Sequence, residues 1–374
     1  MPSAPSRREF IRATALAALA GAGGSLLRPV ARAAPEPPPP SPDRVLGVAL
    51  LGLGAYSTGE LAPALQLTRR CRLAGVVTGS AAKASGWAQR YHLPARSLYH
   101  YRHLEDIAHN PDIDIVYVVT PPALHAEYTI RAAQAGKHVI TEKPMACSVA
   151  ECDAMIAACR KAGVRLSVGY RLHFDPFHQE LMRLATDPAA GPFLKLRGEF
   201  GYAMADDQWR AHRALAGGGP MMDVGIYVVH AACLAAGGVA PVAVTAREER
   251  KTRPAFFRDV EEAMRWTMEF PHGAVCHGWA SFSDSANHFR AEGPHGWIEF
   301  PDNAFAYRGL RGATNRGKLR FHPAVNQQAL QMDDFAECVL TGRESPVPGE
   351  LGRRDLRILT AIYEAAASGG RVLV

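Results

Sequence analysis

The sequence contains few features that would indicate a metal site, a disulfide framework or a disordered protein. Its seven cysteines form no Cys-x-x-Cys pair and no Cys and His cluster with the ligand spacing of zinc, so no metal is predicted. Only 21% of the residues are charged and 48% are hydrophobic, a composition that excludes a mostly disordered chain. The length of 374 residues corresponds to about two domains and excludes a small scaffold held by disulfides.

The cysteines allow two interpretations. Their odd number leaves one thiol unpaired in an exported protein, and such a thiol can be reactive. Alternatively, they are ordinary buried side chains, since Cys152, Met155, Ile156 and Cys159 recur at the spacing of one helix face. The spacing favours the second interpretation.

Residues 1–33 have the pattern of an export signal. Arg7 and Arg8, followed closely by Phe and Ile, are typical of signals that the twin-arginine export machinery reads. The apolar run 13–27 has about 15 residues, fewer than the roughly 20 that a membrane-spanning helix needs, so no stable membrane anchor is predicted. We predict cleavage after Ala33 and a periplasmic location for the folded protein.

The positive charge of the chain is concentrated in this signal. Five arginines and one glutamate in residues 1–33 account for +4 of the formal net charge of +6, which leaves +2 for the mature chain. A protein that binds nucleic acid through its phosphates needs a larger basic surface. The charge therefore predicts no nucleic-acid partner.

The remaining chain divides into an arm and two domains, with an α/β fold overall. Residues 34–43 are predicted to form a proline-rich arm. In residues 44–170, apolar strands alternate with helices, which predicts a Rossmann-type, doubly wound parallel sheet. In residues 171–374, the strands alternate apolar and polar side chains, which predicts an α+β domain with a large, mostly antiparallel, open-faced sheet. The last helix, about 355–367, can return to either domain.

A glycine-rich loop follows the first predicted strand. Gly52-x-Gly54-x-x-Ser57 opens a helix, a context in which glycines let the backbone approach a pyrophosphate. A plain glycine turn is the alternative. The second strand ends at residues 78–80, with Lys83 shortly after and no Asp or Glu at its tip, where a carboxylate would repel the 2′-phosphate of NADP. The pattern favours NADP over NAD.

Further cofactor contacts are predicted in both domains. Glu142-Lys143-Pro144 stands at the carboxyl end of a predicted parallel strand, where open α/β sheets hold ligands. A solvated surface lysine is the alternative interpretation of Lys143. The predicted cofactor contacts are Gly52, Leu53, Gly54, Ala55, Tyr56, Thr78, Gly79, Ser80, Lys83, Thr120, Pro121, His125, Glu142, Lys143, Arg171, Trp209 and Arg210.

A second glycine-rich segment contains three residues suited to proton chemistry. The glycines at 217–219 allow close backbone approach, and Asp223, Tyr227 and His230 lie on one face if the segment is helical. An ordinary core tyrosine and a buried histidine with its own partner are the alternative interpretations.

Together these motifs resemble the family of glucose-fructose oxidoreductases, inositol dehydrogenases and MocA oxidoreductases. The resemblance rests on the export signal, the Gly52 loop, Glu142-Lys143-Pro144 and the stretches 169–176 and 216–227, and it covers nearly the whole chain after the arm. Most relatives carry His at the position of Tyr227, so the tyrosine points to the glucose-fructose branch.

The resemblance implies an enzyme with a tightly bound NADP that works on two sugars. An aldose would be oxidised at C1 to an aldonolactone, and a ketose or second sugar would be reduced by the same cofactor. Tyr227 would transfer the proton, Lys143 would be its cationic partner and Asp223 would orient them. A homo-oligomer, either a dimer or a tetramer, is also implied. The expected sugar contacts are Lys143, Arg171, His173, Asp223, Tyr227 and His230.

Three other functions remain open. In the resembled branch a longer arm reaches the neighbouring subunit and helps to hold the cofactor. The short arm at 34–43 therefore leaves room for a simple NAD(P)-dependent aldose dehydrogenase with a dissociable cofactor. Some exported relatives cleave glycosides through transient oxidation, so a nicotinamide-dependent glycoside hydrolase is a second alternative. A non-catalytic sensor of sugar or cofactor on the same fold is the third.

Overall fold

The first domain is built on a six-stranded parallel sheet. The computed structural model describes residues 44–321 and 325–374, and the predicted signal 1–33 and arm 34–43 lie outside the described residues. The strands are β1 Leu46–Leu51, β2 Cys71–Val77, β3 Leu98–Tyr99, β4 Ile115–Val118, β5 His138–Thr141 and β6 Leu166–Val168. They lie in the order β3-β2-β1-β4-β5-β6, with all neighbours parallel and all of β1 buried. The predicted Rossmann-type sheet is confirmed.

Helices cover this sheet and continue through the second domain. The α-helices are α1 Ala62–Leu65, α2 Ala81–Tyr91, α3 His125–Gln134, α4 Val149–Ala162, α5 Pro176–Thr186, α6 Arg213–Ala216, α7 Ile226–Ala235, α8 Gln327–Thr341 and α9 Gly349–Ser368. Short 3₁₀ segments occur at Ala95–Ser97, Tyr101–His109, Pro122–Leu124, Arg171–Phe174, Trp209–Ala211 and Pro271–Gly273, and π-helical turns at Ser57–Leu61 and Met221–Gly225.

The helix α4 illustrates how local residues set the ends and the buried face of such a segment. Ser148 caps its N-terminus by accepting a hydrogen bond from the amide of Glu151, and Gly163 ends it in a left-handed conformation with φ of 68°. The four residues at helical spacing that include Cys152 and Cys159 are all buried on one face. The interpretation of these cysteines as packing residues agrees with this burial, and no disulfide occurs among the described residues.

The second domain is built on a nine-stranded sheet. Its strands are β7 Lys195–Gly201, β8 Ala243–Glu248, β9 Ala263–Glu269, β10 Val275–Ser281, β11 Ala286–Gly293, β12 Gly296–Phe300, β13 Ala313–Thr314, β14 Gly317–Lys318 and β15 Val372–Leu373. They lie in the order β14-β13-β12-β11-β7-β10-β9-β8-β15. All pairs are antiparallel except β7 with β10, which confirms the mostly antiparallel sheet. One face packs on α7 and α9, and alternate side chains such as Arg197 and Arg265 are exposed on the other.

The chain returns to the first domain near its end. Helix α8 belongs to the core of the Rossmann-type domain, where Met332 and Phe335 pack with Leu61 and Leu65. Helix α9 contacts both domains, through α4 and β6 on one side and β8 on the other. The sequence-based division left only the last helix open between the domains and placed the rest of 171–374 in the second. The position of α8 differs from it because α8 has no local pattern that reveals which sheet it covers.

One helical stretch of the described residues, Arg213–Ala235, is long and apolar enough by composition to cross a membrane. It contains α6, the π-helical turn and α7, and its most apolar stretch of 18 residues is 94% buried inside the fold. Its apolar character is therefore that of a core helix in the second domain.

Candidate functional site

A cleft of about 700 Å³ lies where the two domains meet. It opens at the carboxyl ends of β1, β4 and β5, beside the point where the strand order of the first sheet reverses, which is where open α/β sheets bind ligands. The predicted site residues that line it are Gly52, Leu53, Gly54, Ala55, Tyr56, Thr78, Lys83, Thr120, Pro121, Glu142, Lys143, Arg171, Trp209, Arg210, Asp223 and Tyr227.

The glycine loop after β1 fits a dinucleotide. Gly52 has a φ of 102°, and a Cβ there would lie 2.6 Å from the carbonyl oxygen of Val119, so only glycine is accommodated. A Cβ at Gly54 would meet nothing within 4 Å, because this residue faces the open cleft. Ser57 is fully buried and donates its hydroxyl to the carbonyl of Gly52 at 2.5 Å, which holds the turn. The first helical turn thus presents its amides to an anion, as a pyrophosphate requires.

The tip of β2 carries polar and cationic groups. The hydroxyl of Ser80 caps α2 by accepting a hydrogen bond from the backbone amide of Lys83. The side-chain Nζ of Lys83 donates to the carbonyl of Leu53 at 3.2 Å. Thr78 and Lys83 line this end of the cleft, whereas Gly79 and Ser80 do not. Among the described lining residues, the carboxylates come from the end of β5 and from the Met221–Gly225 turn, and none comes from the end of β2.

His125 supports the cleft from behind and does not line it. Its ring is buried, with Nε2 2.7 Å from the carbonyl oxygen of Thr120 and Nδ1 2.9 Å from that of Pro144. Burial lowers the pKa of this imidazole, although the two carbonyl contacts oppose the shift. The predicted cofactor contact is therefore corrected: His125 ties together the loops that follow β4 and β5.

Lys143 is locked into the cleft. It follows β5, is joined to Pro144 by a cis peptide bond, and has an 11% exposed side chain. Its Nζ donates to the backbone carbonyl of Asp223 at 2.7 Å and lies 3.5 Å from the carboxylate Oδ1 of the same residue. The same atom is 4.6 Å from the ring centroid of Tyr227. This geometry excludes the interpretation of Lys143 as a solvated surface residue.

The carboxylate of Asp223 is the shared partner of two cations in the cleft, Arg210 and Lys143. Its Oδ2 accepts hydrogen bonds from the Tyr202 hydroxyl at 3.0 Å and from Nε of Arg210 at 3.1 Å. Burial alone would raise the pKa of this carboxyl, but the charges of Arg210 and Lys143 and the hydrogen bond from Tyr202 hold it below its usual value. Asp223 is therefore an ionised acceptor that fixes the position of Lys143.

Tyr227 stands between aromatic rings and two cations. Its ring lies 5.6 Å from that of Phe200 and 6.0 Å from that of Phe305, measured between centroids. The Arg171 guanidinium carbon lies 5.1 Å from the same ring. These contacts hold the ring at the cleft wall, where Lys143 also reaches it, so a proton can be exchanged there beside a fixed cation.

Glu142 lies beneath Lys143 as a buried carboxyl. It accepts a hydrogen bond from the Tyr117 hydroxyl at 2.7 Å, and a Cβ at Gly169 would lie 2.5 Å from its Oε1. Burial raises the pKa of Glu142, although Tyr117 and the charge of Lys143 oppose the shift. The glycine at position 169 is thus required by the space that this carboxyl occupies.

Two predicted sugar contacts lie outside the cleft lining. His230 is one turn farther along α7, where its Nδ1 lies 2.8 Å from Asp355 and its ring stacks on Tyr170 with centroids 4.1 Å apart. His173 lies beside Phe174, with its ring 6.5 Å from that of His230. The sequence-based assignment of both histidines to the sugar is corrected, since neither lines the cleft and α9 packs on the helix that carries His230.

The sequence-based predictions missed several residues that line the cleft, and Tyr202, Phe305 and Tyr307 are the polar and aromatic examples that contact the predicted site. Tyr202 binds Asp223, while Phe305 and Tyr307 come from the irregular loop between β12 and β13. This loop has no periodicity or glycine pattern that would have indicated a site, so only the folded chain brings it to the cleft.

Family models match both domains. The model described as "Oxidoreductase family, NAD-binding Rossmann fold" matches residues 46–170, and the model described as "GFO/IDH/MocA C-terminal domain" matches residues 178–299. These two matches divide the chain at the same place as the two sheets.

Individual proteins are similar over most of the chain. The crystal structure of an aldose-aldose oxidoreductase from Caulobacter crescentus has 42% sequence identity and a TM-score of 0.86, covering 88% of this chain and all of that one. A D-xylose 1-dehydrogenase [NADP(+)] of Haloarcula marismortui is 26% identical over 88% of this chain and 93% of its own length. A second D-xylose 1-dehydrogenase (NADP(+)), from Haloferax volcanii, is 28% identical over 86% and 98%.

Proposed function

Because the chain belongs to the GFO/IDH/MocA oxidoreductase family, we propose that it is an NADP-dependent sugar oxidoreductase working on two sugars. An aldose is oxidised at C1 to an aldonolactone, and a ketose or second sugar is reduced by the same bound cofactor. The observation that carries this proposal is the fixed arrangement of Lys143, Asp223 and Tyr227 at the switch-point cleft. The names of the aldose-aldose oxidoreductase and the D-xylose dehydrogenases support sugars as substrates.

Each of three residues in the cleft has a separate role in the proposed reaction. Bound NADP would supply the hydride acceptor for C1 of the first sugar and the hydride donor for the second. Tyr227 takes the proton from the C1 hydroxyl in the first half and returns one to the carbonyl oxygen of the acceptor in the second. Lys143 stabilises the negative charge that develops on the reacting oxygen, and Asp223 keeps that cation in place. Each cycle thus restores both the protein and its cofactor.

NADP is favoured by the end of β2. Thr78 and Lys83 offer a hydroxyl and a cation there, and the described residues place no carboxylate at that end of the cleft. A 2′-phosphate would meet attraction at this position, whereas the carboxylate that commonly binds the 2′-hydroxyl of NAD is missing from it. The two D-xylose dehydrogenases, whose names state NADP, support the same choice.

We further propose that the protein works in the periplasm with its cofactor already bound. A periplasmic enzyme has no pool of nicotinamide cofactor to draw on, so tight binding before export by the twin-arginine machinery would keep it active. We also infer a homo-oligomer, joined through the open face of the second sheet, as the resemblance implies. That face carries Arg197 and Glu199 as an ion pair at 2.7 Å, and Trp279 donates its Nε1 to Glu249 at 3.0 Å.

The proposal is tested by absorbance spectroscopy of the purified protein without added cofactor. Addition of an aldose should raise the near-ultraviolet band of reduced nicotinamide, and a ketose or second aldose should then bleach it. The Tyr227→Phe variant keeps the ring but lacks the hydroxyl, and it should lose about 10²–10⁴-fold in the rate of both phases. A variant with full turnover would contradict the role of Tyr227.

The same samples separate the proposal from its alternatives. Sugar oxidation that requires added NADP in every turnover would show a simple aldose dehydrogenase, the function favoured by the D-xylose dehydrogenase relatives. Release of nitrophenol from aryl glycosides would show a nicotinamide-dependent glycoside hydrolase. Neither result is expected from a protein that retains its cofactor and passes electrons between two sugars.

A further inference from the structure

A loop of the second domain crosses the cleft and contacts the dinucleotide-binding loop of the first. This crossing loop consists of residues 301–312, between β12 and β13. The ring of Tyr307 stacks on that of Tyr56, with centroids 5.6 Å apart and an angle of 30° between the planes. Tyr56 directly follows Gly52-x-Gly54-Ala55, so Tyr307 lies over the loop that fits a pyrophosphate.

Arg171 fixes the backbone of the crossing loop through hydrogen bonds. Arg171 is 2% exposed, and its guanidinium donates to the carbonyl oxygens of Phe305 at 2.6 Å and Ala306 at 3.0 Å. It also donates to Gln327 and lies 4.3 Å from the ring of Tyr307. A buried guanidinium with these acceptors is costly to displace, so the backbone that carries Tyr307 is fixed in place.

A second contact fastens the outer edge of the crossing loop. Arg308 forms an ion pair at 2.7 Å with Glu60, which lies in the first helical turn after the glycine loop. Glu60 is 16% exposed at its side chain and Arg308 is 71% exposed. The pair therefore sits at the rim, where it joins the two domains and can open without disturbing the core.

We propose that Tyr307 and Arg308 form a clamp that retains the dinucleotide, a role that rests on the proposed function because it deepens the retention of NADP. The stack and the ion pair both bridge the two walls of the cleft beside the glycine loop. A bound dinucleotide leaves only after these contacts separate, so they lower its dissociation rate. The clamp would supply from within the chain the retention that a longer arm supplies in the resembled branch.

The test measures how fast NADPH leaves the protein. Protein loaded with NADPH is mixed with excess NADP, and the decay of NADPH fluorescence gives the dissociation rate. Tyr307→Ala should increase that rate at least about fivefold, since it removes an aromatic stack and a cation-π contact. Tyr307→Phe, which keeps the ring, should stay within about twofold of the unmodified protein.

Arg308 provides an independent measurement at an exposed position outside the packed core. Arg308→Glu should increase the dissociation rate about two- to fivefold, and the added change Glu60→Arg should restore it by re-forming the pair in reverse. Arg311→Ala is the matched control, because Arg311 lies in the same loop, is 69% exposed, and pairs with Asp302 instead of the first domain. It should leave the rate unchanged.

The outcomes separate the clamp from the proposed function. If the unmodified protein releases NADPH rapidly, the proposed tight retention is contradicted. The clamp still predicts that NADPH leaves Tyr307→Ala at least about fivefold faster than it leaves Arg311→Ala. If Tyr307→Ala and Arg308→Glu both release NADPH at the rate of Arg311→Ala, the clamp is overturned even though the protein oxidises sugars. An increase in the sugar KM alone, with an unchanged dissociation rate, would also overturn it.

Discussion

At the scale of single residues, Asp223 connects the groups that the cleft brings together. Its carboxylate accepts from Tyr202 and Arg210 and lies 3.5 Å from Nζ of Lys143, while its carbonyl accepts directly from the same lysine. A buried carboxylate is costly unless it is paired, so the three partners and the anion stabilise one another. Asp223, for which the resemblance implies an orienting role, thus holds a lysine from the other domain by its carbonyl and carboxylate.

The pH dependence of this arrangement follows from the pKa of Asp223, which is lowered in the folded protein. A carboxyl with a lowered pKa stays ionised until the pH falls below the usual range of carboxyl pKa values. The negative charge of Asp223 is therefore the same at every pH near neutrality. Asp223→Asn should lower kcat/KM about 10²-fold, by the same factor from about pH 5 to about pH 8, because the charge that holds Lys143 is lost.

The measurement is the ratio of kcat/KM between the unmodified protein and Asp223→Asn across this pH range. Asp153→Asn is the control, since Asp153 forms an exposed ion pair with Arg353 on the surface and should leave activity unchanged. A ratio that changes more than about threefold over the range would show that Asp223 titrates there and would contradict the lowered pKa.

At the scale of elements, helix α8 completes the first domain from far along the chain. Asp333 on this helix accepts hydrogen bonds from the backbone amides of Arg69 and Arg70, just before β2. Phe335 is 1% exposed and packs in the same cluster as Leu61 and Leu65, which follow the glycine loop. The helix thus supports the element on which the dinucleotide site is built.

Removal of this support should destabilise the protein. Phe335→Ala should lower the free energy of unfolding by about 3–5 kcal/mol, because the large side chain leaves a cavity that a packed core closes only in part. Leu330→Ala on the same helix is the control, since Leu330 is 40% exposed and should change the unfolding free energy little. Equal midpoints for the two variants in a denaturant titration would show that α8 is not part of the core.

At the scale of the whole molecule, the cleft exists only when both domains are folded together. Lys143 comes from the first domain, Asp223 and Tyr227 come from the second, and the crossing loop joins them again. A cofactor that both domains contact can be bound only by the folded chain. Export of the folded protein by the twin-arginine route would therefore carry the cofactor along.

The proposed export by this route predicts a dependence on the pair Arg7 and Arg8. Replacing Arg7 and Arg8 by lysines preserves the charge of the signal and should leave the uncleaved protein in the cytoplasm, since the machinery reads the pair of arginines. Cell fractionation with immunoblotting measures the distribution. Arg28→Lys, in the same segment, is the control and should still be exported. Equal amounts of both variants in the periplasm would refute a twin-arginine signal.

The sequence by itself determined the main alternation of strands and helices in the first domain and the two glycine-rich turns. Buried parallel strands are continuous apolar runs, and helix ends need specific capping residues, so both leave local signals such as the β1 run and the Ser148 cap. Lys143 and Tyr227 could be assigned because their motifs resemble a family. The division into a parallel sheet and a mostly antiparallel sheet also followed from local alternation.

Only the tertiary structure decided which side chains meet. It turned His230 towards Asp355 and away from the cleft, placed α8 in the first domain, and brought Tyr307 onto Tyr56. The physical reason is that these contacts join residues far apart in the chain, as Arg308 and Glu60 are, 248 positions from each other. Contacts of this kind arise from packing between whole elements, which leaves no periodic or local trace in the sequence.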